Sequence, residues 1–432
     1  DAAAVTVKKL TAGGNWETLS ETTHFSVNRA SGTITFLAAP GISPITGEDN
    51  IAITAERTVA GYAARIQSCR QGIPYGVNGS ADRLFLGGGN QPNRDYYSER
   101  SDPTFFGDTS YNVLGREDSA ILGYSVISDH LATHLSGGEE NRNVVLRGGE
   151  LLEGKSVFRI TGTLQGPETI ARYAFGSLAN EAVFLTAQGI YAITAADITG
   201  ERYAQNRSYY LNGKLLREAQ LCEAYAAVFN EMYWLCINGK AYILDGLQPL
   251  APEKNMPYST RQYVGFYRTN LPARVLWKSG ERLYFGTEDG RVCRFYENSK
   301  QQNSYRDDGV AIAARWETPD LLGGQFYKNK TFRSVMVRLA SAAATSVKIE
   351  AQKNGLWSTL YTDDTHARYF DWSNFNWSKF TWTCDTSPRL IVRKIQVKKV
   401  NKTRFSFENN SANEPFGLFD IALEYRENGK AK

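Results

Sequence analysis

Short apolar runs separated by tight polar turns set the rhythm of the chain. From Glu281 to Asn298 the sequence ERLYFGTEDGRVCRFYEN places two such runs around Glu288-Asp289-Gly290, which predicts two strands joined by a hairpin turn. About fifty residues earlier stands EMYWLCINGKAYIL, from Glu231 to Leu244. About fifty earlier again stands EAVFLTAQGIYAI, from Glu181 to Ile193. The same turn glycine recurs as Gly189, Gly239 and Gly290. Two weaker copies begin at Asp82 (DRLFLGG) and at Asp129 (DHLATHLSGGEENRNVVLR). A period of about fifty residues, with several short strands in each unit, predicts a β-propeller of five or six blades over residues 59–310. The strands are apolar at consecutive positions, as in Met232-Tyr233-Trp234-Leu235, which suits strands covered on both faces. Kelch repeats share the period, but the paired glycines at 87, 137 and 148 do not fall in phase with it.

The pattern changes on either side of this region. Residues 1–58 carry VTVKKL, HFSVNR, GTITFL and NIAITAERT between Gly-, Ser- and Pro-containing turns, the rhythm of a small Ig-like β-sandwich. Residues 311–432 hold TFRSVMVRLA, TSVKIEAQ, RLIVRKIQVKKV, TRFSFEN and FGLFDIALEY, which predict a C-terminal β-sandwich or jelly roll. Helical periodicity is scarce, so the expected fold class is all-β throughout.

Composition narrows the function only a little. The 49 basic and 45 acidic residues nearly cancel, so bulk charge demands neither nucleic acid nor an anionic membrane as partner. No apolar run reaches the length needed to span a bilayer as a helix. The opening Asp1-Ala-Ala-Ala-Val has no basic segment and no methionine, and residues lost upstream are expected. Five cysteines at wide spacings, Cys69, Cys222, Cys236, Cys293 and Cys384, predict buried free thiols rather than a disulfide framework.

The usual signatures of chemistry are missing. There is no Gly-x-Ser-x-Gly elbow, His-Glu-x-x-His, phosphate-binding loop or Cys-x-x-Cys. His130 and His134 share a face of a predicted strand but lie roughly 13 Å apart by strand rise, too far to hold one metal. They read as ordinary surface or inter-blade histidines. The expectation is therefore a chain that is not an enzyme and needs no cofactor or metal.

Three stretches stand out as interaction candidates. Trp372, Phe375, Trp377, Phe380 and Trp382 fall within eleven residues, a density that suits either glycan stacking or the closed end of a sandwich. Residues 389–404 carry seven basic residues and no acid, with Ile395 and Val397 facing one way and Lys394, Gln396 and Lys398 the other. The third is the aperiodic stretch from Asn90 to Gly115, dense in Arg94, Tyr96, Tyr97, Phe105, Phe106 and Tyr111. It reads as a long ordered loop packed on the propeller, with its remaining surface free for a neighbour.

That third stretch also carries a resemblance. Gly-Asn-x-Pro-Asn-Arg-Asp-Tyr-Tyr-Ser from Gly89, then Asp-Pro-Thr-Phe-Phe from Asp102, then Gly-x-x-Asp-Ser-Ala-Ile-x-Gly from Gly115 resemble tail and neck structural proteins of bacteriophages and prophages of Gram-positive hosts. FDWSNFNWSKFTW from Phe370 and NEPFGLFDIALEY from Asn413 are similar to the ending of the same proteins. The resemblance covers roughly residues 80–425 by motif and order. Propeller-bearing nozzle proteins of that kind carry small sandwich insertions in a blade, which matches residues 1–58. It implies a virion structural protein, assembled in the bacterial cytoplasm, that acts through surfaces shared with other tail proteins or in a homo-oligomeric ring. The first alternative is a tail-tip adhesin or lectin-like module that binds host-surface glycan, and the second a glycoside hydrolase with a carboxylate pair brought together across the propeller mouth.

Overall fold

The computed structural model describes residues 5–55, 60–194, 203, 205–250, 262–295, 302–340, 345–363 and 387–430. It is all-β: among the described residues α-helix is confined to Tyr62–Gln67 and Tyr209–Leu215. The chain divides into two compact units, Asp1–Val292 and Cys293–Lys432.

The first unit opens with a three-stranded antiparallel sheet in the order Trp16–Leu19, Val5–Leu10, Ile51–Ala55, and a hairpin of Phe25–Asn28 with Thr33–Phe36. Its buried apolar side chains are Val7, Leu10 and Phe25. Four of these five strands coincide with the apolar runs of the sequence. The fifth, Trp16-Glu-Thr-Leu, is too polar to show as one.

Five meanders follow, each antiparallel with its strands in chain order. The first sheet runs Gln71–Pro74, Leu84–Gly87, Arg94–Tyr97, Tyr111–Val113. The second runs Ile121–Ile127, His130–Leu135, Val144–Leu152, Lys155–Leu164. The third runs Phe175–Leu178, Glu181–Thr186, Gly189–Ile193, Gln205–Asn206, and the fourth Tyr225–Phe229, Met232–Ile237, Lys240–Leu250, Gln262–Arg268. The fifth has Val275–Ser279, Arg282–Gly286 and Val292–Arg294. Along this series the first strand of each sheet packs on the first strand of the next.

The fifty-residue echo has a counterpart in the sheets. Glu181 begins the second strand of its sheet, and Glu231 and Glu281 immediately precede the second strands of theirs. Two of the turns are built alike: Ala179 and Asn180 have φ of 48° and 64°, and Asn230 and Glu231 have 49° and 55°, whereas in the third only Gly280 is left-handed. Two consecutive left-handed residues make the turn whose twist matches a hairpin. The chemistry at these positions differs, however. Glu181 is buried in an ion pair, whereas Glu231 and Glu281 are exposed.

Burial on both faces follows from the stacking. All six residues of Glu181–Thr186 are buried. Ala182 and Phe184 join a core with Ile127, Ala132, Val144 and Leu146 of the second sheet. Val183 and Leu185, on the other face, join Tyr233, Leu235, Tyr242 and Leu244 of the fourth. Phe184, Val183 and Leu185 each contribute about 1.5–3 kcal/mol when fully buried, each only if the sheet it faces is in place, so the strand as a whole needs both neighbours. Glycine permits the close approach of first strands. A Cβ at Gly123 would overlap the Phe175 ring, and one at Gly176 would sit 2.7 Å from Val228 Cγ2.

The second unit is a β-sandwich. One sheet has the order Ala314–Glu317, Arg404–Asn409, Lys348–Lys353, Leu356–Thr362, and the other Arg389–Val400, Lys328–Leu339, Leu418–Lys430. Phe332, Val335, Val337, Ile391, Ile395 and Val397 from one sheet meet Ile349, Ala351, Phe405 and Phe407 from the other. The basic strand alternates as its sequence predicts, with Ile395 and Val397 buried and Lys394, Gln396 and Lys398 exposed. The thiols depart from expectation. Cys236 is buried, but Cys69 and Cys293 are half-buried and Cys222 is exposed; Cys384 lies outside the described residues.

His134 sits at the junction of the second and third sheets. Its ring lies 4.5 Å from the Phe184 ring and 4.9 Å from that of Phe175, and Nε2 is 3.0 Å from Ser125 Oγ. Burial pushes its pKa down to about 3, so it is neutral in the folded protein. Below pH 6.5 the unfolded chain binds a proton that the folded chain does not. Stability from this site is therefore complete above about pH 6.5 and falls as pH drops toward 3, by about 1.4 kcal/mol per pH unit. Unfolding free energies of the wild type and His134→Gln, measured by denaturant between pH 7.5 and 4, are expected to show the steeper acid loss in the wild type. Parallel curves would contradict this account.

Candidate interface on the first sheet

The stretch from Asn90 to Gly115 is not a structureless loop. Arg94–Tyr97 is the third strand of the first sheet, paired with Leu84–Gly87 on one side and Tyr111–Val113 on the other. The sequence hides this strand because Arg-Asp-Tyr-Tyr puts one charged and one aromatic residue on each face. Asp95 and Tyr97 share the face that meets the second sheet; Arg94 and Tyr96 share the other.

Sequence reasoning gives Asp95 the part of satisfying backbone groups in a loop and misses its pairing with Arg147. Asp95 is fully buried and forms a two-armed ion pair with the equally buried Arg147 of the second sheet, one arm at 3.2 Å. Asn112 Nδ2 donates to Asp95 Oδ1 at 2.9 Å, and Arg147 Nη2 donates to Thr133 Oγ1 at 2.8 Å. The guanidinium also lies over the Phe85 ring, 5.3 Å from its centre. A carboxylate and a guanidinium withdrawn from water together are stable because each neutralises the other and Asn112 and Thr133 add further hydrogen bonds, although Arg147 Nε has no hydrogen-bond partner. The one sequence signal for the pair is an arginine at the end of an apolar run, Val-Val-Leu-Arg147, with no solvent-facing position left for it.

The five candidates in this stretch separate into packing and surface residues. Tyr97 stacks on Phe85 at 5.5 Å and meets Phe158 edge-on at 5.1 Å, within the core between the first two sheets. Tyr96 is buried on the opposite face, and its hydroxyl donates to Gln91 Oε1 at 2.6 Å. Burial first, then the nearby Cys69, raises the Tyr96 pKa. Arg94 lies over the Tyr111 ring at 5.1 Å. Phe106 is half-buried, while Phe105 is 56% exposed.

Turns fix the connection that carries Phe105. Thr104 donates to Asp102 Oδ1 from its backbone nitrogen at 3.0 Å and its hydroxyl at 2.6 Å, bonds that lower the Asp102 pKa. Tyr62, on the Tyr62–Gln67 helix, donates to the Gly107 carbonyl at 3.4 Å. Burial and a bond to Asp108 push the Tyr62 hydroxyl up to about 12. After the turn that carries Phe105, the edge strand exposes Tyr111 (39%) and Val113 (52%). An open strand edge with apolar and aromatic side chains is a surface suited to another protein. Trp372, Phe375, Trp377, Phe380 and Trp382 lie outside the described residues, as does the glycan-stacking reading that depends on them.

Among the described residues no group of three or more His, Cys, Asp or Glu side chains could hold a metal ion, and no helix is long and apolar enough to cross a membrane. No family model matches the chain, and no curated protein matches it. Solved structures similar to it include exo-β-1,3-galactanase from Phanerochaete chrysosporium with galactose, at 11% identity and a TM-score of 0.28, covering 82% of this chain and 96% of that one. A variant of that enzyme with β-1,3-galactotriose matches at 10% identity and a TM-score of 0.27, over the same shares. Likeness at this level assigns no activity. The expectation of a chain that is not an enzyme is corrected to this extent: both of these solved structures are of an enzyme.

Stability separates the packing residues from the surface ones. Tyr97→Ala should destabilise the protein by roughly 2–4 kcal/mol through the cavity left between the first two sheets. Phe105→Ala, which removes an exposed ring, should fall within about 0.5 kcal/mol of wild type. Chemical denaturation of both variants checks the assignment, and equal losses would refute it.

Proposed function

We propose that the chain is a structural component of a bacteriophage or prophage tail or neck, acting through protein–protein surfaces. Its five meanders are read as blades of a β-propeller. The observation that carries the propeller reading is the series of first strands, each packed on the next and relieved of side chains by Gly123 and Gly176 where they converge. Sheets radiating from an axis crowd their innermost strands in this way. The role itself is supported by the sequence resemblance together with the exposed edge carrying Phe105, Tyr111 and Val113 on the outermost strand of the first sheet and its adjoining turn. The partners proposed are other tail or neck proteins, and the location is the virion.

The test uses particles produced by the source strain. Antibody to this chain, viewed by negative-stain microscopy, is expected to label one fixed position on the tail or neck. Particles carrying Phe105→Glu with Val113→Glu should assemble poorly although the purified variant melts within about 2 °C of wild type, since both residues are more than half exposed. Unlabelled particles, or normal assembly of the variant, would count against the role.

A further inference from the structure

The outer face of the three-stranded sheet in the second unit is ordered in rows by its register. Arg338 stands between Leu390 and Asp420, Met336 between Val392 and Ala422, and Ser334 between Lys394 and Glu424. These residues point away from the sandwich core that takes up Val335 and Val337. Leu390 is 63% exposed and Val392 50%, and Ala422 is exposed beside them. The face therefore has an apolar middle open to solvent.

Charges flank that middle unevenly. Arg338 is neutralised by Asp420 at 2.6 Å and lies over the Phe419 ring. At the other end, Glu424 accepts a hydrogen bond from Ser334 Oγ at 2.6 Å. Among the described residues neither Glu424 nor Lys394 forms an ion pair. They stand two strands apart, roughly 10 Å, too far to neutralise one another within the sheet.

We propose that this face docks on the same face of a second copy of the chain, about a two-fold axis parallel to the central strand Lys328–Leu339. That axis lays the strand carrying Lys394 over the strand carrying Glu424 of the other copy, twice by symmetry. It also brings Val392 against Ala422 of the second copy, and Met336 against its own equivalent. A two-fold axis across the strands would instead set Lys394 over Leu390 and Glu424 over the already paired Asp420, leaving both charges without an opposite partner, so charge selects the first arrangement. Three strands about 4.8 Å apart and some forty ångströms long offer roughly 500 Å² per copy. Stable interfaces use about 800 Å² per partner, so a weak dimer in the micromolar range is expected. This inference does not depend on the proposed tail role.

Sedimentation velocity of the full chain from about 1 to 200 μM, at low and high salt, tests it. A monomer–dimer equilibrium that weakens with salt is expected. Lys394→Glu and Glu424→Lys should each weaken dimerisation at least tenfold, and the double variant should recover most of the loss, because the exchange preserves complementarity. Val392→Asp should abolish the dimer with an unchanged melting curve; if that variant does not fold, the charge-exchange series decides. A monomer throughout the range, a species larger than a dimer, or a dimer indifferent to the charge variants would overturn the proposal.

Discussion

Every side chain from Glu181 to Thr186 is buried, Ala182 and Phe184 against the second sheet and Val183 and Leu185 against the fourth. A strand with no solvent face is stable only between two others, and the rest of the first unit follows from that constraint. Each meander supplies half the cover of the next, so the sheets are mutually dependent rather than separate small domains. The crowding is most severe at the first strands, which is why Gly123 and Gly176 stand where a side chain would collide with the neighbouring sheet.

Apolar faces give little directional preference, and the buried ion pairs supply it. Arg147 joins the second sheet to Asp95 of the first. Arg207 pairs with Glu181 at 2.6 Å within the third sheet, and Tyr263 of the fourth donates to Glu181 at 3.0 Å. Removing one member of such a pair leaves an isolated charge, a cost of about 3–5 kcal/mol, whereas a slip in sheet packing would separate both members at once. His134 acts in the opposite sense, remaining neutral so that no charge is buried at its junction.

The second unit solves burial differently. Its two sheets share the Phe332–Phe405 core, and the basic strand turns alternate residues of Ile395–Lys398 to that core and to water. The outer face of that strand can then carry charge and exposed apolar residues, which Glu181–Thr186, buried on both faces, could not.

The sequence by itself determined the all-β class, the fifty-residue echo with its turn glycines, and the inward and outward sides of the basic strand, because these depend on local turn geometry and two-residue alternation. It did not determine that Arg94–Tyr97 is a strand, that Tyr96 and Tyr97 pack on opposite faces while Phe105 remains at the surface, or that Asp95 meets Arg147. Those outcomes depend on residues far apart in the chain. Whether an aspartate is buried or solvated is decided by whether a guanidinium arrives from the neighbouring sheet, and only the tertiary structure brings it there.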